Sequence, residues 1–200
     1  MKRIVLATSN PGKAREIGAM LADLQIEVVP QSQFGTPEVE ETGLTFIENA
    51  LIKARAAAEA SGLPALADDS GLEVDALGGE PGIRSARYAG NEGDDAANNA
   101  KLLEALADVP DEARTARFQC LLVLLRHATD PVPWIFQGTW EGRILRAPRG
   151  ENGFGYDPLF FVPGQGCSAA ELPPEVKNRL SHRGQALQQF IRRLRAEAPR

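Results

Sequence analysis

Two hydrophobic rhythms alternate along the chain. Short apolar runs bounded by turn residues mark strands, and apolar residues recurring at three- and four-residue steps mark helices. Ile4 to Ala7 is predicted as a first strand, followed by a polar turn and a helix whose Ile17, Met20, Leu21 and Leu24 fall at helical spacing. Ile26 to Val29 is a second strand. From about Leu44 to Ala60 a helix carries Phe46, Ile47, Ala50, Leu51 and Ala54 on one face, and Ser61-Gly62 ends it. Leu63-Pro64-Ala65-Leu66 reads as a short buried strand with Asp68 and Asp69 at its carboxyl end, and Leu72 to Ala76 as another strand. A Gly/Pro-rich loop then runs to Gly90, and an alanine-rich helix covers about Asp94 to Ala107. Arg114 to His127 is a long strand containing the unbroken apolar run Cys120 to Leu125. Trp134 to Gln137 and Thr139 to Leu145 would pair with it or near it, and a glycine-rich loop leads to Pro158 to Val162. A last helix starts after Ser181, with Leu187, Phe190, Ile191 and Leu194 as its buried stripe. Strand–helix units mixed with antiparallel strands predict the α/β class, with helices packed on a mixed β-sheet.

Composition narrows the setting. The 200 residues are 43% hydrophobic and 24% charged, with a formal net charge of -5. That length suits one domain over residues 1–200, with room for two lobes. The mild acidity argues against a basic face for duplex nucleic acid and against a polybasic membrane anchor. No apolar run approaches the roughly 20 residues that span a bilayer, and the reading is a cytoplasmic protein. Cys120 and Cys167 show neither metal-ligand spacing nor a disulfide framework.

Four segments can carry chemistry. Ala67-Asp68-Asp69-Ser70-Gly71 places two acids at a strand end, where open α/β sheets hold their ligands, and strand geometry points neighbouring side chains to opposite faces. One carboxylate could hold a divalent metal while its neighbour orders a water or a lysine; the plainer alternative is a polar strand-to-turn exit. Thr8-Ser9-Asn10-Pro11-Gly12-Lys13 offers hydroxyls, helix-start N–H groups and a lysine to a phosphate, without the spacing of a P-loop, or else it simply caps a helix. Glu40-Glu41-Thr42-Gly43 precedes a helix in which Asn49 and Lys53, four residues apart, share a face. That face could turn a lysine toward the acidic strand, or the acids could merely favour the helix dipole. Gly153-Phe154-Gly155-Tyr156-Asp157-Pro158 sets an aromatic ring between glycines, where it can stack on a flat ligand whose edge Asp157 would meet; Lys177, Ser181, His182 and Arg183 gather further on. A tight turn with a core phenylalanine and a capped helix with solvated charges are the structural alternatives.

Taken together, these segments resemble the signature segments of the inosine/xanthosine triphosphate pyrophosphatases. Thr8 to Lys13, Glu41-Thr42-Gly43, Phe46 to Ala50 with Lys53, Ala67 to Gly71, Gly78-Gly79 through Pro81-Gly82-Ile83 to Ser85-Ala86-Arg87-Tyr88, Gly153 to Pro158 and Ser181-His182-Arg183-Gly184 occur in the family's order over nearly the whole chain. The resemblance implies an elongated mixed sheet flanked by helices, two lobes around a central substrate cleft, a homodimer, and Mg2+-dependent hydrolysis of ITP, dITP and XTP to the monophosphate and pyrophosphate.

It also implies roles. Thr8, Ser9, Asn10, Pro11, Gly12 and Lys13 would bind the triphosphate, and Lys53 would add a second cation. Asp69 would be proton acceptor and metal ligand, with a second ligand from Glu40 or Glu41, and Asp68 would position the attacking water. Ser70 would touch the substrate, and Phe154, followed by Gly155 and Tyr156, would stack on the purine. Asp157, Lys177, His182 and Arg183 would read the base edge. A 6-keto purine presents an acceptor where adenine presents a donor, so donors from His182 or Arg183 would favour hypoxanthine and xanthine. One departure is visible: Cys167 stands where many relatives carry lysine.

Overall fold

The computed structural model describes residues 1–91 and 93–197. In chain order the elements are β1 (Arg3–Ala7), α1 (Pro11–Leu21), β2 (Glu27–Pro30), α2 (Phe46–Ser61), β3 (Ala65–Val74), α3 (Asp95–Ala105), β4 (Thr115–Leu125), β5 (Trp134–Ile144), β6 (Phe160–Val162), β7 (Cys167–Ser168), α4 (Pro174–Leu180) and α5 (His182–Glu197), with short 3-10 turns between them. The strands form one seven-stranded mixed sheet in the order β2-β1-β3-β4-β5-β6-β7. β1 runs parallel to β2 and β3, whereas β6 runs antiparallel to both β5 and β7.

Local chemistry explains where the helices start. Asn10 caps α1 and Pro11 opens it, the position where a missing N–H does no harm. Thr45 caps α2 through the Glu48 N–H, and Asp94 caps α3 through that of Ala97.

The chain divides into two units. The first comprises residues up to Asp69, Cys120–Gly138 and the chain from Arg183 on; the second comprises Ser70–Gln119 and Thr139–His182. In the first unit the strands are covered on both faces. Ile4, Leu6, Leu66, Cys120, Leu122 and Leu124 pack on Ile17 and Leu21 of α1 and on Ala186, Leu187 and Phe190 of α5. The alternate positions, Val5, Ala7, Ala65, Ala67, Val123 and Leu125, meet Ala50, Ala54, Ala57 and Ala58 of α2. Small residues on both sides of that second contact let helix and sheet approach closely. In the second unit only one sheet face is apolar: Leu72, Val74, Ala116, Phe118, Trp140, Ile144, Phe160 and Val162 pack with Leu102 and Leu106. Positions between them on β3, β4 and β5 carry polar groups, with Gln119 joined to Glu73 and Thr139, and Arg117 to Asp75 and Glu141.

Three expectations from the periodicity are corrected. The acidic segment is not a strand end: β3 runs unbroken from Ala65 to Val74, and Leu72 to Ala76 is no separate strand. Ser70-Gly71 does not turn because the polar groups around it find partners elsewhere, the Leu72 N–H donating to the Ser85 hydroxyl at 2.8 Å. Trp134 to Gln137 and Thr139 to Leu145 are likewise not separate strands: β5 runs from Trp134 to Ile144 through buried Gly138. The short helix α4, which carries Lys177, has too few turns to show an apolar stripe.

Gly142 of β5 lies under the ring of Phe160. A Cβ there would sit 2.5 Å from the Phe160 Cζ and 2.5 Å from the Phe161 carbonyl oxygen, and the latter belongs to paired backbone that cannot step aside. Gly142→Ala is therefore expected to lower stability by about 1–3 kcal/mol. Urea unfolding measures this directly, and an unchanged midpoint would show that β6 yields without penalty.

Candidate active site

Strand alternation separates the two acids. Asp68 shares the parity of Leu66 and faces the α1/α5 side, whereas Asp69 shares the parity of Ala65 and Ala67 and faces α2. Each side chain is buried, at 1% and 5% exposure, and each meets a different set of partners.

Asp68 closes an ion network. Lys13 Nζ lies 2.6 Å from its Oδ1, and Arg183 donates from Nε to Oδ2 at 2.8 Å and from Nη2 to Oδ1 at 3.4 Å. The Cys120 thiol donates to Oδ2 at 3.1 Å, and Arg183 Nη1 reaches Glu16 Oε2 at 2.5 Å. Burial by itself would push the Asp68 carboxyl up, but the Arg183 and Lys13 charges outweigh it and hold the group well below the usual carboxylate range. Burial, with the Asp68 charge beside it, pushes the Cys120 thiol well up and keeps it protonated.

Asp69 takes the opposite direction. Burial raises its carboxyl and the Glu41 charge adds to the rise, against the pull of Lys53 and Lys13. Lys53 Nζ lies 2.6 Å from Asp69 Oδ1 and 2.8 Å from Glu41 Oε1, bridging the two carboxylates. Burial would lower the Lys53 ammonium, yet Asp69 and Glu41 carry it upward. Glu40 is exposed, and Glu41 is the glutamate turned inward.

Among the described residues no three His, Cys, Asp or Glu side chains gather into a metal cage. Magnesium does not need one, since it is commonly held by one or two carboxylates together with substrate phosphates. Glu41 and Asp69, two hard carboxylates already directed at one cationic centre, fit that donor set.

In the loop before α1, the Asn10 side chain accepts from the Gly12 and Lys13 N–H groups at 2.9 and 3.0 Å, and Thr8 Oγ1 accepts from the Asn10 N–H at 3.1 Å. Capping is thus what this turn does here. Ser9 and Pro11 are exposed and Gly12 is buried.

The second unit gathers the aromatic segment. The Phe154 N–H donates to Asp157 Oδ2 at 2.9 Å, and Lys177 pairs with the same oxygen, its Nζ lying 4.9 Å from the centre of the Phe154 ring. Asp157 and Lys177 are both buried. Tyr156 is buried and donates to the Ser85 carbonyl at 2.8 Å. The ring of His182 stacks on Phe118, with centroids 4.7 Å apart and planes 13° from parallel, and Trp140 lies beyond it at 6.5 Å. Ser70 is half-buried in β3.

The Arg183 guanidinium is buried against Asp68 and Glu16, within the first unit. The Asp68 carboxylate pairs with both Lys13 and Arg183. Residues the sequence reading passed over also enter. Glu16 stands one helical turn after Lys13, a spacing visible in the sequence had its partner been known. Asp95 and Asn99 of α3 grip Gly155, the first accepting from its N–H at 2.7 Å and the second donating to its carbonyl at 2.8 Å.

These features define an α/β protein with a buried carboxylate–lysine centre. The model of the Ham1 family matches residues 4–193, and the chain belongs to that family. It is 60% identical over 192 residues to the dITP/XTP pyrophosphatase of Vibrio cholerae, covering 96% of each chain. It is 57% identical over 195 residues to that of Escherichia coli O157:H7, covering 98% of this chain and 99% of the relative. Among solved structures it is similar to a HAM1 protein from Coxiella burnetii, with a TM-score of 0.90, 52% identity, and 98% and 100% of the two chains covered. The Staphylococcus aureus Ham1 protein aligns with a TM-score of 0.85 at 43% identity, with the same coverage.

The Asp68 network makes a stability prediction. Asp68→Asn removes the buried anion between Lys13 and Arg183 and is expected to lower stability at neutral pH by about 3–5 kcal/mol. A depressed carboxyl stabilises the fold above its unfolded pKa and loses that contribution as pH falls through its folded value. The urea midpoints of wild type and variant should therefore converge below about pH 4. Curves that stay parallel in acid would show that the pair contributes nothing.

Proposed function

We propose that this protein hydrolyses deaminated purine nucleoside triphosphates (ITP, dITP and XTP) to the nucleoside monophosphate and pyrophosphate, clearing them from the nucleotide pool. The observation that carries this reading is the convergence of Glu41 and Asp69 on Lys53 beside the sealed Asp68 network, in a chain whose close relatives are named dITP/XTP pyrophosphatases. The reading takes residues 1–200 as one catalytic domain and includes a homodimer and a cytoplasmic setting. No helix among the described residues is long and apolar enough to cross a membrane.

In the reaction, a water oxygen bonds to the α-phosphorus as the bond to the bridging oxygen breaks and pyrophosphate departs. Asp69 accepts the water proton; its upward-shifted carboxyl makes it a stronger base than an exposed aspartate. Glu41 and Asp69 would hold Mg2+, which supplies neutralisation of phosphate charge and a lowered pKa for bound water. Lys53 and Lys13 stabilise charge on the departing oxygens, and Asp68, which pairs with Lys13, helps to position the attacking water. Ser9, with Thr8, Asn10, Pro11 and Gly12 around it, lies along the phosphates, and Ser70 touches the substrate.

Base recognition falls to the other unit. Phe154 stacks on the purine, with Gly155 and Tyr156 shaping its loop, while Lys177, oriented by Asp157, donates to the 6-keto oxygen together with His182. An amino group in place of the keto oxygen leaves a donor facing a donor, at about 1–3 kcal/mol. Arg183, which pairs with Asp68, is a further donor for the base edge.

Two measurements test this. Pyrophosphate release from ITP, dITP, XTP, ATP and GTP with Mg2+ should favour the first three, and Asp69→Asn should reduce it about a hundred- to ten-thousandfold with the fold retained. Near wild-type turnover in that variant would sink the assignment of Asp69. Phe154→Ala should weaken ITP and XTP binding alike by about 1–3 kcal/mol. If only thermal stability changed, Phe154 would be a packing residue.

A further inference from the structure

Glu41 lies in a loop whose neighbours Glu40, Thr42, Leu44 and Thr45 are all exposed, yet its carboxylate must hold one position to share a cation with Asp69. Leu44 is 85% exposed, so apolar packing does not fix this segment. Hydrogen bonds from the first turn of α2 do. The Leu44 N–H donates to Glu48 Oε2 at 2.8 Å, and the Thr45 hydroxyl donates to the same oxygen at 2.8 Å. The Gly43 N–H donates to Asn49 Oδ1, also at 2.8 Å.

Glu48 is an exposed capping-box residue and closes the helix end in the ordinary way. Asn49 differs. It is fully buried, its carboxamide oxygen is directed at the loop backbone, and its Nδ2 has no hydrogen-bond partner among the described residues. A buried amide donor without an acceptor is destabilising, so an apolar side chain would serve packing better. Gly43 is matched to it: a Cβ on Gly43 would lie 2.6 Å from Asn49 Oδ1 and 2.6 Å from Glu48 Cβ. One turn beyond Asn49 on the same helix face, Lys53 meets Glu41 and Asp69.

We propose that Asn49 is a positioning residue for the divalent-cation pair: by holding the Gly43 backbone it fixes Glu41, two residues earlier, opposite Asp69. The role rests on the pyrophosphatase reading above. It accounts for a polar side chain where burial favours an apolar one, and for a glycine where the backbone itself makes no demand for glycine. Asn49 touches no reacting atom. Its effect reaches the reaction through the affinity of the carboxylate pair for the metal, as do groups that orient metal ligands elsewhere.

Two variants test it from opposite sides. Asn49→Leu removes the acceptor and the unsatisfied donor together, and Gly43→Ala pushes the backbone off Asn49 while both the Asn49 and Glu41 side chains are retained. Each is expected to raise the Mg2+ concentration for half-maximal pyrophosphate release about ten- to a hundredfold, with kcat at saturating Mg2+ within about twofold of wild type. The double variant should be no worse than either single one, since both break the same contact. Amide hydrogen exchange without metal or nucleotide provides the second readout: the Gly43 N–H is protected in the wild type and should lose protection in Asn49→Leu, while thermal stability is kept. An unchanged Mg2+ requirement, or Gly43 protection that survives Asn49→Leu, would overturn the role of Asn49 and leave the pyrophosphatase reading standing. A wild type that releases pyrophosphate from none of the triphosphates, with Gly43 protection behaving as expected, would overturn that reading and with it the catalytic meaning of the clamp.

Discussion

The two-residue alternation of β3 is the constraint on which the site depends. Because adjacent side chains of a strand leave on opposite faces, one Asp-Asp pair supplies carboxylates to two separate environments. Helices cover both faces in the first unit, so both carboxylates are buried, and each must find its own cations. On the α1/α5 face Lys13 and Arg183 are close enough to outweigh desolvation, and Asp68 remains charged. On the α2 face Lys53 is shared between Asp69 and Glu41, and burial prevails at Asp69. The outcome is two neighbouring carboxyls shifted in opposite directions, Asp68 downward and Asp69 upward.

Packing sets how far each cation must reach. Alanines at 50, 54, 57 and 58 of α2 lie against Ala65 and Ala67 of β3, which keeps the helix near enough for Lys53, on the same element, to meet Asp69 at 2.6 Å. Larger residues at those contacts would lift the helix and lengthen the ion pair. The same helix start holds the Glu41 loop, so α2 positions the lysine directly and the second carboxylate through Asn49.

The second unit uses a one-sided sheet. Its apolar face stacks Phe118, Trp140 and Phe160 around the His182 ring, while Asp95, Asn99 and Asp157 secure the Phe154 loop through backbone hydrogen bonds.

Much of this was legible in the chain. The helical stripes identified α1, α2, α3 and α5, and β4 even displays its two environments as a change of pattern: alternating apolar and polar from Thr115 to Gln119, then unbroken apolar from Cys120 to Leu125. The segments that resemble the family's signatures marked Asp68, Asp69, Glu41, Lys13 and Lys53, but not Glu16. Tertiary structure decided which groups meet. Asp68 and Arg183 are 115 residues apart, and no local periodicity connects them. That contact pairs Arg183 with Asp68, and the bridge through Lys53 brings Glu41 rather than the exposed Glu40 to the lysine shared with Asp69. It also kept Asp-Asp-Ser-Gly, composed like a turn, inside a strand: local propensity describes what a segment prefers in water, whereas buried partners from distant parts of the chain determine what it does in the fold.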